Sequence, residues 1–181
     1  ICGTSSPSYD HWGGNRVGMN LFANCVLALR AETGERVWHF QTVHHDIWDY
    51  DIPAPPNLVT VRQGGQLRDA VAQVGKVGHV FVFDRETGQP IFPVEERPVP
   101  RSEVPGEVSW PTQPFPVKPP PFAQQTLDES TVTRRTPAAR KAALAKLRGM
   151  RTGSIFTPPG ATPSVVLPQF NGGAEWGGAA F

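Results

Sequence analysis

Val26-Leu-Ala-Leu-Arg-Ala-Glu-Thr-Gly-Glu-Arg-Val-Trp38 aligns without gaps on Val80-Phe-Val-Phe-Asp-Arg-Glu-Thr-Gly-Gln-Pro-Ile-Phe92, an offset of 54 residues. In each copy an apolar run of four leads into Glu-Thr-Gly, and an apolar-aromatic pair follows. That pattern predicts strand, tight turn, strand, because Gly34 and Gly88 can take the positive φ that a hairpin needs. The short runs Leu58–Val61 and Ala70–Val74 fit as further strands between the copies. A small antiparallel sheet recurring at about fifty residues points to a solenoid or a propeller. A hairpin with one apolar face cannot stand alone, so neighbouring copies must cover it. The chain has room for two copies and the edge of a third.

Beyond the second copy the pattern changes. Between Pro93 and Pro163 the Pro-rich stretches Val94–Pro105 and Pro111–Phe122 read as extended coil or polyproline II. They enclose one helix candidate, 136–148, with Thr136 as N-cap, Pro137 at the first helical position and Gly149 as the stop. A structureless excursion of about seventy residues is long for a compact domain; such segments cover a site, dock on a partner or stay loose. With 20 Pro and 18 Gly among 181 residues, the chain has nearly twice their ordinary share of roughly 12%, which excludes helical bundles and coiled coils. No apolar run is long enough to span a membrane as a helix. Ile1 is not an initiator Met and Phe181 falls in an apolar run, so we expect an internal fragment of a longer protein.

The net charge of +1 is unevenly spread: Arg134 to Arg151 holds 7 of the 17 basic residues and no acids. The remainder is therefore acidic overall, and no nucleic-acid partner is expected. The basic helix is either a solvated surface element or a contact for lipid headgroups or an acidic protein. Cys2 and Cys25 fit no metal spacing; they are free thiols or, in an oxidising compartment, a disulfide.

The densest group of reactive side chains is His44-His45-Asp46-Ile47-Trp48-Asp49-Tyr50-Asp51. It lies just past the first copy, at a sheet end, where loops carry function. Two His and three Asp can supply metal ligands or an acid/base pair, or simply make a polar turn. Lys76, between Gly75 and Val77, is either a surface residue or a cation at an inner rim. In Gly172-Gly-Ala-Glu-Trp-Gly-Gly178 the glycines let a flat ring approach the backbone while Trp176 offers a stacking face; a core Trp in a tight turn has the same sequence.

These hairpins, the segment Trp38–Asp51, the stretch Phe92–Pro100, the Pro-Thr-Gln-Pro-Phe-Pro of 111–116 and Gly-Gly-Ala-Glu-Trp-Gly-Gly together resemble the pyrroloquinoline quinone (PQQ)-dependent dehydrogenases. The branch most similar contains the membrane glucose and quinate dehydrogenases. The resemblance implies an all-β fold, about three blades of an eight-bladed propeller of four-stranded sheets. Blade hairpins would lie near 24–40 and 78–92, the Pro-rich excursion with its one short helix at 93–163, and the start of a further blade at 164–181. The remaining blades of the parent chain would close the ring. By the same resemblance Asp49 falls on the catalytic aspartate, Lys76 on the basic residue at the quinone oxygens, and Trp176 on the aromatic beside the cofactor. Glu175 stands where relatives have Asn. Ser6 stands where many relatives place a calcium-ligand Asn, which weakens the Ca²⁺ contact expected from that loop.

The implied chemistry is oxidation of an alcohol, sugar or polyol, with Asp49 taking the hydroxyl proton while hydride passes to PQQ. Lys76 and Ca²⁺ would polarise the quinone oxygens. Ubiquinone or a cytochrome would be the electron acceptor. The address would be periplasmic, with any membrane anchor on a segment outside this chain. Propellers with the same blade motif also serve as cofactor-free scaffolds for protein assembly, and fold alone does not separate the two. A metallohydrolase site on His44, His45 and Asp46 is disfavoured, because adjacent residues on a strand or turn point apart.

Overall fold

Both copies of the repeat form the turn that their sequence predicts. The structure is a computed structural model that describes residues 1–181. Strands β1 (Cys2–Gly3), β2 (Cys25–Leu29) and β3 (Arg36–Gln41) make one antiparallel sheet in that order. Strands β4 (Asn57–Gln63), β5 (Gln66–Val74) and β6 (Val80–Asp84) make a second. Gly34 and Gly88 close the two Glu-Thr-Gly turns at φ 73° and 71°, where a side chain is disfavoured. In the first copy the chain returns as β3, paired along its length with β2. In the second the return shrinks to one bridge between Phe83 and Pro90, with Ile91 N–H donating to the Val82 carbonyl at 2.8 Å. Pro90 has no N–H to give the ladder, and the chain then departs into the excursion. Each sheet thus has three strands where four were expected.

A core forms between the two sheets. Val26, Ala28 and Trp38 of the first meet Val71, Phe81 and Phe83 of the second, with Ile52 between them. Trp38 is 7% exposed, lies 6.0 Å from the Phe83 ring and donates from Nε1 to the Arg85 carbonyl at 3.2 Å. Its indole is the wedge that docks one sheet on the next, as the repeat requires of neighbouring blades.

The Pro-rich stretches differ from the coil expected of them. Strands β7 (Val94–Pro98) and β8 (Thr112–Pro116) pair as an antiparallel ribbon. The reason lies in the register. Val117 N–H donates to the Pro93 carbonyl and Val99 N–H to the Pro111 carbonyl, at 2.9 and 3.0 Å. The hydrogen-bonded pairs therefore fall at odd positions, and Pro98, Pro114 and Pro116 occupy pairs whose N–H would point out of the ladder. The one helix, α1 (Pro137–Leu147), is where the sequence puts it: the Thr136 hydroxyl accepts from Ala139 N–H at 3.0 Å. None of its residues is buried, so the basic helix is a surface element. Residues 164–181, expected to open a further blade, carry no strand. No helix is long and apolar enough to cross a membrane. Both cysteines are free, Cys25 buried and Cys2 exposed.

The excursion does not hang loose. Ile155 and Phe156 pack on Val43, Ile47, Trp48 and Tyr50 to build a second core, with Phe115 and Leu127 at its margin. Trp48 Nε1 donates to the Thr157 carbonyl at 3.0 Å, and the Tyr50 hydroxyl reaches the Ile155 and Leu167 carbonyls at 2.8 and 2.7 Å. Gln113, fully buried on β8, exchanges two hydrogen bonds with the His44 backbone. The excursion is thus a brace over the 44–51 loop.

Candidate active site

That loop is organised from inside by one carboxylate. Asp46 is 1% exposed, and its oxygens accept from Trp48 N–H at 2.8 Å, Tyr50 N–H at 2.7 Å, Asn24 Nδ2 at 2.9 Å and the Ser6 hydroxyl at 2.5 Å. Burial pushes its pKa up, and the four donors pull against that shift. The two backbone bonds bracket Asp49 and wind the chain so tightly that Asp49 sits in the left-handed region at φ 61°. Aspartate tolerates that region better than most residues, yet the conformation is uncommon and clusters at functional sites.

Wound this way, Asp49 turns its carboxylate to Lys76. Lys76 Nζ lies 2.8 Å from Asp49 Oδ2 and 2.9 Å from Asp51 Oδ1, so one ammonium is shared by two carboxylates. Burial works against the charge on Lys76, but the hydrogen bonds and charges of Asp49 and Asp51 outweigh it and hold its pKa above the ordinary lysine value. The sequence separation of Asp49 and Lys76 is bridged by Lys76 N–H, which donates to the Asp51 carbonyl at 3.2 Å. The glycine-rich tail docks on the same residue. Gly173 N–H donates to the Lys76 carbonyl at 2.7 Å, and a Cβ at Gly172 would lie 2.3 Å from that of Lys76. Gly172 is there because nothing larger fits.

This docking brings Trp176 to an open cleft of about 620 Å³, lined also by Ile1 to Ser5 and Asp51 to Pro56. Trp176 is 80% exposed, so it is a free aromatic wall and not a core residue. Glu175 is half-buried beside it, facing a separate surface hollow with Val74, Phe122 and Ala179. Ser6 is turned away from the cleft, its hydroxyl spent on Asp46. Its neighbour Ser5 lines the cleft and donates to Asp51 Oδ2 at 3.2 Å. Successive residues in extended chain face opposite ways, which is why the neighbouring serines part. His44, His45 and Asp46 likewise separate. His44 bonds Gln41 and Glu96, His45 bonds the Gly18 carbonyl, and Asp46 is the buried hub, so they form no hydrolase site. Two residues that the sequence did not single out, Asp10 and His11, come close to Asp49. One ligand atom from each of the three lies within 4.8 Å of the others.

Residues 2–181 match the family described as PQQ: glucose/ethanol/alcohol dehydrogenase, beta-propeller domain. The chain belongs to that family. It is 39% identical over 178 residues to the quinate/shikimate dehydrogenase (quinone) of Acinetobacter baylyi, across 97% of this chain and 22% of that protein. Its identity to the quinoprotein glucose dehydrogenase of Gluconobacter oxydans is 38% over 183 residues, across 98% of this chain and 22% of that protein. Among solved structures, a europium-containing methanol dehydrogenase shares the fold with a TM-score of 0.62 at 21% identity, over 99% of this chain and 25% of that one. The chain thus spans between a fifth and a quarter of its PQQ dehydrogenase relatives, and the sheets described above are part of a propeller.

Proposed function

We propose that the intact protein is a PQQ-dependent dehydrogenase that oxidises an alcohol, sugar or polyol, with Asp49 as the base that takes the hydroxyl proton. The observation that carries this reading is the Asp49–Lys76–Asp51 cluster at 2.8 and 2.9 Å, with Asp51 and the exposed Trp176 on the wall of one cleft. PQQ fits what this chain offers: an unpartnered indole face for its flat rings and a buried-stem ammonium for its electronegative oxygens. Lys76 and Trp176 would hold it there, and when bound it supplies the two-electron acceptor for the hydride. Calcium in the cleft does not fit Ser6, whose side chain is turned to buried Asp46 and does not line the cleft. No step here is assigned to a metal.

The steps belonging to this chain are then as follows. Asp49 accepts the substrate proton on its carboxylate, which is 28% exposed and so within reach of a bound alcohol. Lys76 balances charge as the carboxylate gains and loses that proton. Asp46 keeps Asp49 aimed by fixing the amides on either side of it. The periplasmic address and a ubiquinone or cytochrome acceptor belong to the same proposal. The test is the full-length protein reconstituted with PQQ and assayed by dye reduction. Asp49→Asn should lower turnover by roughly 10²–10⁴-fold, the range for a lost general base, while PQQ still binds. Lys76→Ala should slow the enzyme with PQQ bound. An Asp49→Asn protein with near-normal dye reduction would overturn the assignment and favour the scaffold.

A further inference from the structure

We propose that Asp51 is a positioning residue for Lys76: it keeps the ammonium charged and in place while Asp49 carries the substrate proton. The inference rests on Asp49 being the base. Lys76 pairs with Asp49 at 2.8 Å and with Asp51 at 2.9 Å, but the two carboxylates are held very differently. That of Asp49 is 28% exposed and accepts no hydrogen bond in the chain other than the one from Lys76. That of Asp51 is 13% exposed, and its second oxygen accepts from the Ser5 hydroxyl at 3.2 Å. The main chain repeats the link, since Lys76 N–H donates to the Asp51 carbonyl at 3.2 Å. Asp51 is thus tied to Lys76 twice and to the cleft wall through Ser5. Asp49 is tied to Lys76 by one ion pair, which the uptake of a proton removes.

The need for a second anion follows from burial. A buried ammonium left without a partner gives up its proton or swings out to water. Lys76 is buried, and the glycine tail closes over it: Gly172 packs on its Cβ and Gly173 N–H holds its carbonyl at 2.7 Å. With Asp51 present, the trio passes from one net negative charge to none when Asp49 takes the proton. Without Asp51, the remaining pair would pass from neutral to an uncompensated positive charge. Asp51 therefore makes the protonated stage the electrically balanced one, and Lys76 has no cause to move during it.

The experiment uses the full-length protein, first without PQQ. Asp49→Asn stands in for the protonated base, and the readout is acetylation of Lys76 by acetic anhydride, followed by mass spectrometry, because only a neutral, accessible amine reacts. In Asp49→Asn, Lys76 should still react more slowly than the exposed Lys141 and Lys146. Adding Asp51→Asn should speed its acetylation at least about tenfold, the low end for loss of a neighbouring opposite charge. Adding Asp51→Glu instead, which keeps the carboxylate, should leave it slow. Circular dichroism checks that each variant is folded. Adding Ser5→Ala, which frees Asp51 without removing a charge, gives a milder form of the test, and Lys76 should again react faster. With PQQ bound, Asp51→Asn alone should lower kcat by about tenfold and leave KM within about twofold, because Asp51 acts after the substrate has bound. Equal acetylation with and without the Asp51 carboxylate would overturn the proposal, and so would a loss carried by KM, which would make Asp51 only a part of the cleft wall. An Asp49→Asn protein that still turns over would instead sink the base assignment, whatever the acetylation shows.

Discussion

Gly34 and Gly88 hold the same turn, yet a methyl group added at Gly34 meets nothing within 4 Å, while one at Gly88 runs into the Trp38 indole at 2.5 Å. Local sequence fixes the turn in both copies; the neighbour decides what the turn is for. Within this chain nothing packs on the first turn. The second is a socket into which the first copy's own Trp38 fits, and its return strand is cut short by Pro90. The repeat therefore encodes a plug and a socket, and a chain with two copies shows one completed joint.

The largest expected effect comes from removing the plug. Trp38→Ala should destabilise the full-length protein by about 3–5 kcal/mol, the range for a buried aromatic cut to Ala, read by chemical denaturation. A change below about 1 kcal/mol, the scale of a surface substitution, would mean that the joint is not carried by Trp38.

The position just before each copy of the repeat offers a pH comparison. Cys25 and His79 occupy equivalent places, and burial keeps both neutral: the thiol is pushed up to about 12 and the imidazole down to about 4. His79 packs against Phe81 and against Phe115 of the excursion. As pH falls below 6.5 the unfolded chain takes up a proton there and the folded one does not, so stability is lost between pH 6.5 and about 4. The loss should total about 3 kcal/mol, and His79→Gln should flatten it. Cys25 acts at the other end, its contribution fading as pH rises above 9. An unchanged acid-side slope in His79→Gln would show that His79 is not the group responsible.

Smaller effects sharpen the contrast between turn and socket. Gly34→Ala should cost about 1 kcal/mol from the strain of a left-handed alanine, with nothing in this chain to add to it. Gly88→Ala should cost about 1–3 kcal/mol more, as the indole is forced aside; equal costs at the two glycines would refute the socket. Last, the second turn is tied by Asp84, which accepts from Glu86 N–H, Thr87 N–H and the Thr87 hydroxyl, where the first copy has Arg30. Asp84→Ala should cost about 0.5–1 kcal/mol and Arg30→Ala less than about 0.5, compared by the same denaturation curves.

How far the sequence could be read follows from where side chains report on their surroundings. The Glu-Thr-Gly turns and the capped helix were legible, because each is signalled by residue types at fixed positions, whereas the pairing of Asp49 with Lys76 was suggested only by the family resemblance, spacing alone leaving Lys76 open. Strands β4 and β5 were visible only as 58–61 and 70–74, since their far ends, near Gln63 and Gln66, run out as an exposed polar hairpin with no apolar face. The ribbon β7–β8 was hidden by its prolines, whose placement outside the ladder depends on a register that no local pattern announces. At the site, Ser6 was placed by the resemblance alone, and nothing in the sequence showed that its hydroxyl would turn to Asp46. Asp46 looked like one more acid in a polar run; the clue to its buried role was its place two residues before a Trp amide and four before a Tyr amide. Nothing in the spacing linked Asp10 and His11 to Asp49.

The proline register of the ribbon has a consequence for how an insertion can live on a sheet protein. The donors that face outward from β8 belong to positions 112, 114 and 116, and at two of them proline has none to give. A passing strand that tried to extend the ribbon on that side would find carbonyls without amides and could not zip up. On its β8 edge the excursion can therefore be extended and still not recruit a foreign strand.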